Sequence, residues 1–131
     1  MAEIFQMILD TCALLWLATG DGKLSRAAVG KIKEAPVVYV SAITGFEVAI
    51  KVAKRKLRLP LSPQDWFKEI VEHHGLVALP LTLEVCVAAA ELPPLHDDPC
   101  DRFIIAAAKL NNWTVVTADA HFAKYGVAVI G

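Results

Sequence analysis

The sequence predicts an α/β domain with a mostly parallel central sheet flanked by helices on both faces. Short apolar runs of strand length alternate with longer segments that begin at helix caps and end at turn residues. Hydrophobic residues make up 56% of the chain against 21% charged, which suits strands buried on both sides. With 131 residues, the chain is expected to be one unit over residues 1–131, long enough to bury a sizeable core. It contains no internal repeat or low-complexity tract.

The first strand is expected over Phe5–Leu9, an apolar run closed by Asp10. A helix over Thr11–Ala18 should stop at Gly20-Asp-Gly22, and Ser25 can cap a second helix reaching Glu34. Pro36 precedes the strand Val37–Val40, after which Ser41 caps a longer helix expected to run to about Leu57. Ser62 and Pro63 supply an N-cap and a first-turn proline for a helix ending near Gly75, followed by a short strand over Leu76–Leu79. Thr82–Glu91 reads as a helix closed by Leu92-Pro-Pro94. Asp98-Pro99 opens the apolar helix through Leu110, and Val115–Thr117 and Val127–Ile130 complete the strands.

A formal net charge of −1 gives no global attraction for nucleic acid, so any such binding needs a local basic patch. Cys12, Cys86 and Cys100 are odd in number and form no CxxC pair, which disfavours a disulfide framework or zinc ribbon and suits a reducing cytoplasm. The N-terminus carries Glu3 and no Lys or Arg before Lys23, so neither a signal peptide nor a membrane span is expected.

Asp10, Glu47, Asp101 and Asp119 sit in largely apolar segments, where a carboxylate is costly unless it is paired, hydrogen-bonded or metal-bound. Asp10 and Asp119 can also be read as helix caps, and Asp101 as a favourable charge in the first turn after the Asp98 cap. Asp98 is fully explained as a cap. Glu47, four residues after Ile43 and three before Ile50, lies beside the apolar face of its helix, where the alternative role is an ion pair with Lys or Arg. Strand C-termini are where open parallel sheets bind ligands, and all four acids are expected at that edge. Together they would form an oxygen-ligand site for Mg²⁺ or Mn²⁺.

Ile8-Leu-Asp-Thr-Cys-Ala-Leu-Leu-Trp16 resembles the opening motif of PIN-domain ribonucleases, in particular the VapC-type toxins of VapBC toxin–antitoxin pairs. Val38-Tyr-Val-Ser-Ala-Ile43 with Glu47-Val-Ala-Ile-Lys51 is similar to the second motif, and Leu92-Pro-Pro94 with Asp98-Pro-Cys-Asp-Arg-Phe-Ile-Ile-Ala106 to the third. Val115-Val-Thr-Ala-Asp119 and Tyr125–Ile130 resemble the fourth motif and the terminal strand, so the likeness spans nearly the whole chain in order. Cys12 departs from the usual histidine or asparagine, Gly45 from a bulkier residue, and Cys100 from phenylalanine; no acid is lost. The resemblance implies a PIN-like fold, one or two Mg²⁺ or Mn²⁺ ions on Asp10, Glu47, Asp101 and Asp119, RNA as substrate and an antitoxin as partner.

The expected chemistry is in-line attack of water on an RNA phosphodiester, leaving 5′-phosphate and 3′-hydroxyl ends. Asp10 and Asp101 would be the principal ligands, with Glu47 and Asp119 completing a second position or orienting water. Thr11 and Thr117 would hydrogen-bond these acids or the local backbone. Lys51, Lys54 and Arg55, within the basic segment Lys51–Arg58, and Arg102 are candidates for contacting the RNA backbone. The basic segment also reads as a solvated helix end, and Arg102 as a partner for a neighbouring acid.

Adjacent His73 and His74 are expected to diverge on their helix, and a zinc site joining His96 to Cys100 lacks further ligands. His96 and His121 read as surface or cap residues near the site. An aspartyl-phosphate enzyme would want a second Asp where Cys12 stands, and a receiver domain a lysine near Asp119. The alternative outside enzymology is a catalytically silent PIN-like module that binds protein or RNA; the retained acids argue against it. Trp16, Trp66 and Phe67 are expected to supply surface for self-association as a homodimer and for the antitoxin.

Overall fold

The computed structural model describes residues 6–131. Five strands form one sheet in the order β3-β2-β1-β4-β5: β1 is Gln6–Leu9, β2 Val37–Ser41, β3 Val77–Leu79, β4 Thr114–Val116 and β5 Val129–Ile130. Every neighbouring pair is parallel. Phe5, expected in the first strand, lies outside the described residues.

Helices α1 (Thr11–Thr19) and α2 (Arg26–Glu34) link β1 to β2, and α3 (Ala42–Ala53) and α4 (Pro63–His74) link β2 to β3. Helices α5 (Leu83–Glu91) and α6 (Pro99–Asn111) carry the chain from the β3 edge back across to β4. The expected caps form: Ser25, Ser41, Ser62 and Asp98 each accept a backbone N–H in the first turn of their helices, and Thr82, expected inside its helix, stands before it as a further cap. Glycines stop two helices, with Gly20 at φ 65° after α1 and Gly75 at φ 62° after α4.

Because strand side chains alternate, β1 supplies both cores. Met7 and Leu9 pack with Leu14, Ile32, Val38 and Trp66 on one face; Ile8 packs with Ile43, Ile104, Ile105 and Val115 on the other. Burial on both sides explains the high apolar content. Going outward from β1, the sheet grows to β2 in one direction and to β4 in the other. The crevice between the C-terminal ends of β1 and β4 is therefore the topological switch point.

Four expectations need correction. Helix α3 ends at Ala53, one turn before Leu57: the Arg55 N–H bonds Val52 O at 3.0 Å and the Lys56 N–H bonds Lys51 O at 2.8 Å, with Arg55 left-handed at φ 58°. This Schellman closure usually takes glycine, so the basic run carries no stop signal in its composition. Trp66 is buried at 5% exposure beneath α4 and is no docking surface; Phe67 is half-buried beside it. Ile50, used to define the apolar face of α3, is exposed, while Ile43, Thr44 and Val48 form the buried face. The rings of His73 and His74 do not diverge; they meet edge-on at 4.7 Å at the C-terminal end of α4.

Candidate metal centre

The acids arrive from four separated elements. Asp10 follows β1 and caps α1, accepting the Ala13 N–H at 2.7 Å, and its second oxygen accepts the Thr117 hydroxyl just beyond β4. The capping role of Asp10 is therefore realised, and it leaves the residue compatible with the candidate site. Glu47 projects from the second turn of α3. Its Oε1 accepts the Thr11 hydroxyl at 2.7 Å, and its Oε2 pairs with Lys51 at 3.0 Å. The fully buried Thr44 lies 3.3 Å from the Thr11 hydroxyl and helps hold it in place.

Asp101 sits in the first turn of α6, behind the Asp98 cap, and its Oδ2 lies 2.6 Å from His96 Nε2. Asp119 follows β4, accepting the His121 N–H at 2.8 Å and facing His121 Nδ1 at 2.7 Å. Thr117 couples this residue to Asp10: its hydroxyl oxygen accepts the Asp119 N–H at 3.0 Å while donating to the Asp10 carboxylate.

All four carboxylates line one cavity of about 380 Å³ at the switch point, together with Thr11, Cys12, Trp16, Lys51, Asp98 and Ala118. Asp98 thus combines its capping role with a place in the wall. Burial pushes the Asp10 carboxyl up despite its bonds to Thr117 and Ala13, and Asp119 and Glu47 add to the rise. Burial likewise raises Asp101 to about 6, beyond what the His96 hydrogen bond recovers. Asp119 is more open; burial opposes its charge, but the backbone and side-chain bonds from His121, with the nearby His96, hold it below the ordinary carboxylate range. Among the described residues, Lys51 is the one lysine or arginine paired with any of these acids.

A pocket walled by oxygen donors, with more negative charge than its own cations neutralise, suits a hard divalent ion. Thiol chemistry does not suit it. Burial and the surrounding carboxylates raise the Cys12 thiol and push Cys100 up to about 11, so neither is a ready thiolate.

The basic candidates divide. Lys51 lines the cavity, and Lys54 and Lys56 line an adjoining groove of about 420 Å³ with Phe46 and Ile50; Arg55 lines neither. Arg102 is not available to phosphate or to an acid. Its guanidinium donates to the carbonyls of Ala89, Leu92, Pro93 and His96, at 2.7–3.3 Å, and to the Tyr125 hydroxyl. Facing inward from α6, it is consumed by the carbonyls left open at the end of α5.

That clamp holds the loop carrying His96, a residue the sequence marks only as a surface or cap position. His96, Asp119 and His121 form a cluster able to coordinate a divalent metal, and the His96 and His121 rings stack at 4.4 Å. Cys100 is not part of it. The only hint in the sequence was proximity, His96 five residues before Asp101 and His121 two after Asp119.

The PIN domain family matches residues 7–128. Ribonuclease VapC22 of Mycobacterium tuberculosis is 32% identical over 114 residues, covering 86% of each chain. Among solved structures, VapBC2 from Rickettsia felis bound to a promoter DNA fragment superposes with TM-score 0.72 at 15% identity, covering 95% of this chain and 97% of that one. FitAcB from Neisseria gonorrhoeae gives 0.65 at 25% identity, covering 95% and 96%. Family match, curated relative and shared fold agree with the ordered acidic motifs: the chain belongs to the PIN-domain family and is of the VapC type.

Proposed function

We propose that residues 1–131 form a single PIN-like nuclease domain, a divalent-metal-dependent endoribonuclease that acts as the toxin of a toxin–antitoxin pair. The observation that carries this reading is the convergence of Asp10, Glu47, Asp101 and Asp119, from four separated elements, on one cavity at the sheet's switch point. These four are the proposed catalytic and metal-holding residues, with Mg²⁺ or Mn²⁺ as the ion. When bound, the ion supplies neutralisation of the phosphodiester charge and acidification of water.

The protein's own groups set the geometry. Thr117 and the Ala13 N–H fix both oxygens of Asp10, and Thr11 fixes one oxygen of Glu47. Pre-set carboxylates need little rearrangement when charge develops on the substrate, the condition under which such groups contribute most. The Lys51 ammonium, at the cavity wall, is placed to meet a phosphate oxygen, and Lys54 offers a continuing cationic edge along the adjoining groove.

An antitoxin partner is proposed by analogy with the VapBC and FitAcB assemblies that share the fold. A cavity of about 760 Å³, lined by Trp16, Leu17, Val29 and Ile32, has the apolar character a docking segment needs. A homodimer is proposed from the exposed Leu83 and Val87 of α5, apolar groups that a second copy would cover. Among the described residues no helix is long and apolar enough to cross a membrane. With three free cysteines, the cytoplasm is the proposed location.

The test is RNA cleavage by antitoxin-free protein in Mg²⁺ or Mn²⁺, beside EDTA and Asp10→Asn controls. Cleavage should need the metal and vanish in the variant. Folded protein that cleaves no RNA in either metal, intact tRNA and rRNA included, would leave only a binding role.

A further inference from the structure

His96 and His121 are not among the proposed carboxylate ligands, yet both lie against Asp119. His96 Nε2 is 3.9 Å from Asp119 Oδ2, and His121 Nδ1 is 2.7 Å from Asp119 Oδ1. The donor atoms of the three residues all fall within 4.8 Å of one another. Metal bonds of about 2.1 Å reach donors up to about 4.2 Å apart, so a modest closing of the outermost pair brings all three onto one cation. The position of His96 is built: Arg102 and the Tyr125 hydroxyl between them hold the backbone of Leu92, Pro93, Leu95 and His96, and the His96 side chain is only 14% exposed.

Imidazole nitrogen is not what Mg²⁺ selects; it suits borderline first-row ions. We propose that His96, Asp119 and His121 form an imidazole–carboxylate site for a transition cation of the Zn²⁺, Co²⁺ or Ni²⁺ type, at the rim of the carboxylate pocket, sharing Asp119 with it but adding nitrogen ligands where the four acids offer oxygen alone. The two rings now stack nearly parallel, 14° apart. One ring must turn for both lone pairs to meet a single ion, and His121, with 46% of its side chain exposed, has room to do so. His96 would exchange its contact with Asp101 for the ion, and Asp119 would be withdrawn from the carboxylate centre. Such a cation would then inhibit Mg²⁺-dependent cleavage, a consequence that rests on the nuclease reading, whereas the binding itself does not.

The full chain, stripped of metal, is titrated with Co²⁺ and followed by visible absorption, with Zn²⁺ as competitor. The expected result is one equivalent of nitrogen-ligated Co²⁺, displaced by Zn²⁺ and retained in Asp10→Asn. His121→Ala and His96→Ala should each weaken binding by at least about tenfold. Circular dichroism checks folding, and His121→Ala, at an exposed position, remains informative if His96→Ala unfolds. Binding unaffected by His121→Ala, or lost in Asp10→Asn while kept in the histidine variants, would place the ion among the carboxylates and overturn the proposal. Histidine-dependent binding by a protein without ribonuclease activity would sink the nuclease reading alone.

Discussion

Asp101→Asn should stabilise the metal-free protein at neutral pH even though it removes a proposed metal ligand. The carboxyl of Asp101 is raised from 3.8 to about 6, first by burial and then by Asp98 and Asp10, against the lowering effect of His96. A raised acid means that the folded protein binds the proton more tightly than the unfolded chain does. Ionised Asp101 therefore opposes folding; the penalty is absent below about pH 4, grows between about pH 4 and 6, and is complete above. At about 1.4 kcal/mol per unit the shift corresponds to at most about 3 kcal/mol. Asparagine also forfeits a favourable charge in the first turn of α6, worth up to about 1 kcal/mol, which leaves about 2 kcal/mol. For a chain of this length that is about 7 °C in Tm, taking about 2.1 cal/mol/K of unfolding entropy per residue. Calorimetry in EDTA at about pH 7.5 should find the variant melting higher, with the difference closing towards pH 4. Adding Mg²⁺ should shift the balance back to the wild type, which gains more from binding. If the variant melts at or below the wild type in EDTA, or if the gap ignores pH, Asp101 is no strained carboxylate and the argument fails.

Thr117→Val should leave one oxygen of Asp10 without its donor, costing about 1–2 kcal/mol of stability and moving the acidic limb of the activity profile to higher pH. An unchanged limb would show that Thr117 does not tune Asp10. Arg102→Ala should cost about 2–3 kcal/mol and speed amide exchange at Leu95, because several carbonyls lose a charged donor, while the salt dependence of RNA binding stays as it was. Lys54→Ala should behave in the opposite way, lowering the slope of log K against log salt by about 1 with little loss of stability. Arg55→Gly should raise stability by up to about 1 kcal/mol in thermal melts, since glycine accepts the left-handed conformation at φ 58° without a Cβ clash. A loss there would mean the Arg55 side chain makes a contribution larger than its strain.

Much of the scaffold was legible because its signals are local. Serine and aspartate caps placed the starts of five helices, and glycines marked the ends of α1 and α4. Where a boundary lacked a local signal it was misread, as at Arg55, whose left-handed turn is set by the Schellman hydrogen bonds and not by composition. The acids were legible for a related reason: a carboxylate in an apolar run violates the burial pattern whatever its neighbours are. Trp66 shows the converse failure, for an aromatic residue beside charged ones carries no mark of which way its helix faces.

What the sequence determined by itself was thus the order of elements, the parallel α/β class and the identity of four acids out of place, because caps, periodicity and burial cost act within a few residues. Tertiary structure alone decided how the polar side chains that bridge separate elements are used. Arg102 is consumed by carbonyls at the end of α5, Thr117 joins Asp10 to Asp119, and His96 meets His121 beside Asp119. Those partners come from different elements, and they become neighbours only when β1 and β4 lie side by side and α5 and α6 cross the sheet between them.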